Sequence, residues 1–581
     1  MTPTAPSTPE ETLETATSLP AVAGRGWARG VGLGLATAAA ALGAAELTAG
    51  LARRFASPIT QVGNRVIDAA PPWLKTFAIE KFGTNDKTVL IGSVFVVLLI
   101  FAAALGILSR RHRTWSLIGI SLFGVIGVAA AIAGIGGFLA SVPSIVGGVV
   151  GVLTLRFLAD RTWGAAPVVD DHAAGAGNSG PVLGEVLSNE VTANEVDPDA
   201  RVDKNPNNRP LSSVITQPSR RVFLTAAGAV TAVGLVAAAG GRWARTRFDA
   251  AVDRAKVVLP KAKRPLAPID VAQVTAPTDG VTPFLTPIEN FYRVDTALEV
   301  PQVAVADWAL TVTGMVDKKL SFTFDELLQR DLVEADMTLT CVSNEVGGQL
   351  AGTARWLGVP LRELLDEAGA SKDADQIVGR SVDGYTCGFP VSAVDGRTAM
   401  VVVGMNGEPL PIIHGFPARL LVAGLYGYVS ATKWLTEIEI TRFDRFEQYW
   451  VPRGYTAEAP IKTFSRIDTP KPLTNIPAGT HAIAGVAWAQ TRGISKVEVK
   501  IDDGPWQQST LAAAPNTGGS NGTSENNETW RQWYLQAELT SGSHNVTCRA
   551  TDGNGDTQPE ERAPIRPNGV TGWHSVVVLV S

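Results

Sequence analysis

The sequence is short of the residues that build most protein-bound redox and metal sites. Its 581 residues include 3 cysteines and 6 histidines, and no two cysteines form a C-x-x-C pair. An odd number of unpaired cysteines argues against a disulfide framework, a cysteine-rich zinc site and a C-x-x-C-H haem attachment. The chain also lacks an excess of positive charge, because its net charge is -5. This argues against a general nucleic-acid binder. A single cysteine acting alone, as a nucleophile or a metal ligand, is compatible with this composition.

Charge is missing altogether from long stretches of the first half. Residues 88–109 are uncharged and long enough to cross a bilayer. Residues 114–155 are uncharged too, and "GIGGFLASVP" at 134–143 predicts a hinge between two spans there. Two more spans are predicted, one from about Trp27 to Leu51 and one at 222–241. With them, the sequence predicts five transmembrane helices. These spans contain no histidine, which excludes bis-histidine haem ligation within the bilayer.

The basic loops predict the orientation of the spans. "RRHR" at 110–113 is short and positive, so it is expected in the cytoplasm. The segment 159–218 is then a cytoplasmic linker whose polar, Gly- and Pro-containing composition predicts disorder. Span five, within 219–243, begins at Arg220 and Arg221, which resemble a twin-arginine export signal. Alternatively, the two arginines only mark a cytoplasmic helix end. Everything after about residue 243 is expected outside the cytoplasmic membrane.

The second half has a different pattern. After a linker at 244–274, "WALTVTGMV" (308–316) alternates as a strand does, and "LGVPLRELLDEAG" (357–369) predicts a helix ended by Gly369. From about residue 453, "SKVEVKID" and "HNVTCRATD" alternate, which places Cys548 in the core of a small antiparallel β-sandwich. The predicted architecture is therefore a disordered N-terminus (1–26), a four-span domain (27–158), the linker and fifth span, an α+β domain (275–452) and an immunoglobulin-like domain (453–581).

Several stretches of residues 275–581 occur in an order that resembles the sulfite oxidase family of molybdenum enzymes. They include "NFYRVDTALEVP" (290–301), "LTCVSNEVGG" (339–348), "ARWLGVPLRELL" (354–365), "DGYTCGFP" (383–390), "MNGEPLPIIHGFPARLLVAGLYG" (405–427), "IKTFSRIDTP" (461–470) and "GWHSVVV" (572–578). The resemblance implies a molybdopterin-binding α+β domain followed by an immunoglobulin-like domain that often mediates dimerisation. It implies the molybdenum cofactor, which is molybdenum bound to molybdopterin. No haem is expected in this chain, because the sequence has no haem-binding domain and no C-x-x-C-H motif.

The resemblance assigns the lone cysteine of the motif. Cys341 matches the family cysteine whose thiolate binds molybdenum, and a soft sulfur suits a metal already held by a dithiolene. Arg293 matches an arginine at the pterin phosphate and the substrate pocket, although a surface salt bridge is the alternative. Tyr385 matches a tyrosine beside the metal, whose hydroxyl is expected to bind substrate or a metal-bound oxygen. Cys387 has no such counterpart and is expected to be structural.

The resemblance also implies a set of residues that bind the cofactor. These are Tyr292, Arg293, Ser381, His414, Arg419, Ser430 and Lys433. His574 is instead expected to pack within the sandwich.

Two departures from the family pattern concern substrate charge. In the family, the asparagine that corresponds to Asn344 is followed by two arginines, whereas in this chain Asn344 is followed by Glu345 and Val346. A further pocket arginine of the family aligns near Asn568 or Arg566, and the register favours Asn568. The sequence therefore predicts a pocket poorly suited to a dianion such as sulfite.

Together these features predict a membrane-anchored molybdopterin oxidoreductase that transfers one oxygen atom to or from a small substrate outside the cytoplasmic membrane. Its electrons would pass to or from a separate carrier, a quinone or a cytochrome, and a homodimer through the C-terminal domain is expected. The alternatives are a true sulfite oxidase or dehydrogenase, a non-catalytic exported binding module, and a transporter with an exported sensor domain.

Overall fold

The protein is described by a computed structural model. The structure describes residues 24–52, 55, 57–71, 74, 77, 81–82, 86–133, 138–163, 220–246, 250–515 and 526–581. The chain divides into two compact units. The first comprises Met1–Thr48, Ser93–Ile126 and Pro143–Gly240, and the second comprises Ala49–Gly92, Gly127–Val142 and Gly241–Ser581.

Long apolar helices make up the described part of the first unit. They are α1 (Gly24–Ala49), α3 (Asp86–Leu108), α4 (Arg113–Ile132), α5 (Val142–Trp163) and α6 (Arg220–Thr246), of which α3 begins and α6 ends in the second unit. Five of the described helices are long and apolar enough to cross a membrane. The five predicted spans are therefore present as helices. A short 3-10 helix, Phe138–Ser141, stands between α4 and α5, within the predicted hinge.

Small residues let these helices approach each other closely. A methyl group at Gly34 would lie 1.9 Å from the carbonyl oxygen of Ala102, and one at Gly43 would lie 2.2 Å from that of Gly234. Such approaches are typical of apolar helices, which associate by close packing. The contact of α1 with α3 is antiparallel and that with α6 is parallel, as the predicted alternation of spans requires.

The ends of the helices differ from the predicted boundaries. Helix α5 continues to Trp163, so the first five residues of the predicted linker 159–218 are helical, and the rest lies outside the described residues. Helix α1 begins at Gly24, and residues 1–23 of the predicted disordered N-terminus lie outside the described residues as well. The predicted linker 244–274 contains two helices, α7 (Ala250–Lys256) and α8 (Val271–Val274). Arg254 of α7 donates to the carbonyl oxygens of Pro409 and Leu410, so this segment is packed against its unit.

The second unit contains α2 (Pro58–Ala69), α9 (Phe324–Leu328), α10 (Leu361–Ala368) and α11 (Gly427–Ser430). Helix α10 begins four residues later than the start of the predicted segment 357–369, because residues 357–360 complete a strand. Its Leu361, Leu364 and Leu365 are buried as expected. Gly369 ends it with φ +65°, a left-handed conformation that glycine adopts without strain.

Two sheets form the region predicted as an α+β domain. The first has the order β2-β1-β10-β5-β6 and the second the order β3-β4-β7-β8, with β9 paired to β7. Their strands are β1 (Ala309–Gly314), β2 (Leu320–Thr323), β3 (Val333–Thr340), β4 (Ala351–Pro360), β5 (Gln376–Ser381), β6 (Thr386–Pro390), β7 (Ala399–Met405), β8 (Glu408–Pro409), β9 (Arg419–Val422) and β10 (Leu435–Thr441).

Two further sheets form the C-terminal part, with the orders β11-β13-β17-β16 and β12-β19-β18-β14-β15. Their strands are β11 (Phe464–Thr469), β12 (Asn475–Ile476), β13 (Gly479–Trp488), β14 (Ile494–Ile501), β15 (Gln507–Gln508), β16 (Thr510–Leu511), β17 (Arg531–Leu539), β18 (Gly542–Asp552) and β19 (His574–Val580). Both sheets contribute to one core, in which Cys548 is fully buried beside Val497. The immunoglobulin-like assignment stays a prediction.

Candidate active site

Cys341 is the first residue after strand β3, in a closed loop. It is 9% exposed, and its backbone N–H donates to the carbonyl oxygen of Leu350 at 2.9 Å. The buried Asn344 accepts the N–H of Leu350 at 2.7 Å, which ties the two ends of the loop together. Burial raises the pKa of the Cys341 thiol, although hydrogen bonds from Ser343 and the charge of Lys433 act in the opposite direction. The loop therefore holds one thiol in a fixed place near a cation.

The C-terminal sheets support this loop from behind. Arg466 of β11 donates to the carbonyl oxygen of Gly348 at 2.7 Å. Gly347 has φ +79°, and a methyl group there would lie 2.3 Å from Nε2 of His574. His574 thus faces the cysteine loop rather than only packing within the sandwich. Its burial lowers its pKa to about 4, so the imidazole is neutral at pH 7.

Two tyrosines lie near Cys341 and interact with its charge. The hydroxyl of Tyr385 donates to the carbonyl oxygen of Tyr428 at 2.7 Å, so its proton already has a partner. Tyr292 stacks on Phe291 with ring centroids 5.4 Å apart. Burial, together with the Cys341 charge, raises the pKa of both phenols, which are neutral at physiological pH. In this arrangement Tyr385 can accept a hydrogen bond from a ligand, and its expected contact with substrate or a metal-bound oxygen stays a prediction.

Three predicted cofactor-binding residues form a buried cluster of basic groups. His414 ends the 3-10 helix Ile412–His414 and is 2% exposed, and Arg419 begins β9 and is 6% exposed. The guanidinium of Arg419 donates to the carbonyl oxygen of His414 at 3.1 Å. Lys433 lies close enough for its charge to affect His414, and its side chain is 12% exposed. These residues are termed the basic cluster below.

Burial and mutual repulsion shift the titration of the basic cluster. Burial and the charges of Arg419 and Lys433 lower the pKa of His414 to about 4. Burial lowers the pKa of Arg419 to about 10. Burial lowers the pKa of Lys433 to about 8, although Asp295 acts against it. Each shift means that the site is short of negative charge, which an anionic ligand would supply.

Arg293 and Lys433 share a carboxylate that sequence reasoning missed. Asp295 Oδ2 lies 2.7 Å from Arg293 Nε and 2.9 Å from Lys433 Nζ. Its side chain is 4% exposed, and burial would raise its pKa, but these cations together with Lys87 lower it well below its usual range. Arg293 itself is 37% exposed and paired, which also matches the alternative of a salt bridge. The only signal in the sequence was an acidic residue two positions after the motif arginine.

The hydroxyls of the two predicted serines bind backbone groups of nearby loops. The hydroxyl of Ser430 donates to the carbonyl oxygens of Leu425 and Tyr426 at 3.1 Å each. Ser381 is 4% exposed, and its hydroxyl oxygen accepts the N–H of Asp383 at 3.4 Å. The hydroxyl proton of Ser430 is therefore engaged within its loop, whereas that of Ser381 can still be donated to a ligand.

The basic cluster fits the phosphate of a pterin cofactor. His414 Nε2 and Arg419 Nε are buried and lack a hydrogen-bond partner within the described part of the chain. Buried polar atoms without partners are rare, and a bound phosphate would satisfy both. Among the described residues no group of three or more His, Cys, Asp or Glu side chains could hold a metal ion. A metal at Cys341 would thus take its other ligands from the cofactor, as a dithiolene provides.

The positions that depart from the family pattern are occupied as follows. Glu345 is exposed, and Val346 packs against the main core. Asn568 Oδ1 accepts a hydrogen bond from Lys462 Nζ at 3.0 Å, and the same ammonium donates to the carbonyl oxygen of Gly569. The ammonium of Lys462 therefore lies beside Asn568, where the sequence alone indicated no positive charge.

Comparison with known proteins agrees with this geometry. Residues 297–450 match the oxidoreductase molybdopterin binding domain, and residues 457–581 match the Mo-co oxidoreductase dimerisation domain. The mitochondrial sulfite oxidase of Homo sapiens is 27% identical over 347 residues, which cover 51% of this chain and 62% of that protein. The inducible nitrate reductase [NADH] 2 of Glycine max is 27% identical over 340 residues, 48% of this chain and 37% of that protein.

Among solved structures, the sulfane dehydrogenase SoxCD from Paracoccus pantotrophus aligns with a TM-score of 0.43 and 22% identity, over 50% of this chain and 83% of that one. The chain spans 62% of the length of the mammalian sulfite oxidases that it matches. The two family matches cover the cysteine loop, the basic cluster and the C-terminal sheets that support them. Through residues 297–581, this chain belongs to the sulfite oxidase family of molybdopterin-dependent oxidoreductases.

Proposed function

We propose that this protein is a membrane-anchored molybdopterin oxidoreductase that transfers one oxygen atom to or from a small substrate outside the cytoplasmic membrane. The observation that carries the proposal is the proximity of one buried thiol, Cys341, to a basic cluster with two unsatisfied buried nitrogens. One group binds a soft metal and the other a phosphate, and the molybdenum cofactor contains both.

Each side chain has a separate task in this proposal. Cys341 would hold the metal through its sulfur, and His414, Arg419 and Lys433 would hold the phosphate. Tyr292 covers the cofactor side of the site, and Tyr385 accepts a hydrogen bond from the substrate or from water. When bound, the cofactor supplies a metal that exchanges two electrons and one oxygen atom with a substrate. The chain positions that metal and excludes competing water.

The balance of the reaction requires a separate electron carrier. In the oxidising direction, substrate and water give the oxygenated product, two protons and two electrons. In the reducing direction, an oxide such as a sulfoxide takes up two protons and two electrons and releases water. The electrons pass to or from a separate carrier, a quinone or a cytochrome.

The dimerisation-type domain at 457–581 supports a homodimer.

Lys462 bears on the choice of substrate. A methyl group at Gly569, whose carbonyl Lys462 binds, would lie 2.9 Å from the hydroxyl of Tyr426. Burial raises the pKa of Tyr426, a backbone hydrogen bond from Lys462 lowers it, and a charge at Cys341 raises it, so Tyr426 lies near both Cys341 and the backbone of Lys462. The ammonium supplies part of the positive charge that Asn568 does not. This observation favours a singly charged anion as substrate, and it keeps sulfite oxidation as the second candidate function.

Contacts within the second unit support the proposed orientation. Lys87, at the start of α3, lies 2.9 Å from Asp295, and Arg245, at the end of α6, lies 3.6 Å from Glu299. These two helix ends therefore meet residues of the catalytic half. "RRHR" (110–113) lies at the opposite end of α3, so a cytoplasmic "RRHR" would put the catalytic half outside.

The test is made on the full-length protein. Molybdenum and pterin are quantified per chain, and turnover is measured with sulfite plus an electron acceptor and with sulfoxides plus a reduced donor. Cys341→Ser is expected to abolish turnover and to leave the pterin bound, because the phosphate contacts lie elsewhere. A serine variant with full activity, or a wild-type protein without pterin, would refute the proposal.

A further inference from the structure

Lys87, the second residue of the apolar helix α3, binds directly to the segment that follows the motif arginine. Its ammonium lies 2.9 Å from Asp295 Oδ1, 2.9 Å from the carbonyl oxygen of Asp295 and 2.6 Å from that of Ala297. Lys87 and Asp295 belong to the same compact unit, although 208 residues separate them in sequence. Three short contacts fix both the carboxylate and the backbone of this segment.

The two oxygens of Asp295 serve different partners. Oδ1 accepts from Lys87, whereas Oδ2 accepts from Arg293 at 2.7 Å and from Lys433 at 2.9 Å. The carboxylate is 4% exposed, so neither oxygen has much access to water. In this arrangement Lys87 determines which face of the carboxylate is presented to Lys433 of the basic cluster.

From these contacts we propose that Lys87 is a positioning residue for the cofactor site and acts through Asp295. With Lys87 in place, one carboxylate oxygen is committed to the helix, and Lys433 and Arg293 share the other. Without Lys87, both oxygens become available to these two cations, and the carboxylate competes with the cofactor phosphate for them. The inference rests on the proposed cofactor site and not on any substrate.

A consequence is that α3 contributes to the cofactor site as well as to the proposed membrane anchor. The helix continues without interruption from Lys87 to Leu108 and is among the segments apolar enough to cross a membrane. Its first turn then forms part of the support of the cofactor site.

The test compares cofactor retention among full-length variants. Lys87→Met removes the charge and keeps the length of the side chain, Lys87→Arg keeps the charge, and Lys81→Met removes an exposed lysine nearby as the matched control. Pterin is measured per chain by the fluorescence of its oxidised form, and its release is followed after dilution. Lys87→Met is expected to release pterin about tenfold faster, as the loss of one such contact implies. Lys81→Met should behave as wild type, and Lys87→Arg should recover most of the retention.

A double-mutant cycle distinguishes positioning from general stability. If Lys87 acts through Asp295, adding Lys87→Met to Asp295→Asn should change the release rate no further. Release from Lys87→Met at the wild-type rate, or additive effects of the two substitutions, would overturn the inference. A wild-type protein that holds pterin but turns over no substrate would refute only the proposed activity, because pterin release does not depend on turnover.

Discussion

Two buried arginines offer a test of the cofactor site that does not depend on activity. Arg419 is 6% exposed and Arg466 is 5% exposed, so the two are matched in burial. Arg466 Nε lies 2.7 Å from the buried Asp468. Arg419 forms no salt bridge with a carboxylate among the described residues, and its Nε lacks a partner there. The same substitution at the two positions should therefore have opposite effects on the stability of the cofactor-free protein.

The magnitudes follow from the contacts of each residue. Burial lowers the pKa of Arg419 from 12.5 to about 10, which corresponds to about 3 kcal/mol against the charged form. Arg419→Met removes this cost and loses one hydrogen bond, worth about 1 kcal/mol. It also loses the contact with Trp356, worth about 0.5–1 kcal/mol. The net expectation is a gain of about 1 kcal/mol. Arg466→Met leaves Asp468 buried without its partner and should cost about 3–5 kcal/mol.

The assay is chemical denaturation of the full-length, cofactor-free protein, followed by tryptophan fluorescence, with pterin content measured separately on the loaded protein. Arg419→Met should raise the denaturation midpoint and lower pterin affinity by about 30-fold or more. Arg466→Met should lower the midpoint. If Arg419→Met is as destabilising as Arg466→Met, the guanidinium has a structural partner, and the reasoning that assigns it to the phosphate is wrong.

Three further predictions concern pH, orientation and substrate charge. The pKa of His414 is about 4 in the folded chain, against an ordinary value of 6.5 for a solvated histidine, so the cofactor-free protein should lose stability as pH falls from 6.5 to 4. His414 accounts for about 3 kcal/mol of this loss, and that part should be absent in His414→Phe. If the stability of the variant depends on pH as that of the wild type does, the assignment is contradicted. A reporter that is active only outside the cytoplasm should work when fused after residue 581 and fail at residue 190, and the reverse result would refute the orientation. Lys462→Met should raise the KM for anionic substrates about tenfold and leave that for neutral sulfoxides unchanged, and equal effects on both would exclude a role in charge selection.

Local patterns explain why part of this molecule could be predicted. Burial repeats with the period of a strand or a helix, so Val497 and Leu364 were assigned correctly to buried positions. The segment 357–369 shows the limit of such patterns. Its first four residues complete β4, because their pairing with β7 outweighs a local preference for helix. The role of Tyr385 stays a prediction, and only the structure shows that its hydroxyl donates to the carbonyl oxygen of Tyr428.

The sequence by itself determined the five apolar segments and the alternating strands, and it predicted which thiol binds the metal. These follow from composition, from periodicity and from an ordered set of motifs, all of which are local properties of the chain. Tertiary structure alone decided that Asp295 joins Lys87 to Lys433, that Lys462 stands beside Asn568, and that His574 faces the cysteine loop. Lys433 and Asp295 are 138 residues apart, and Lys462 and Asn568 are 106 apart. Such contacts depend on the path of the folded chain, because a charged side chain carries no local signal that identifies its distant partner.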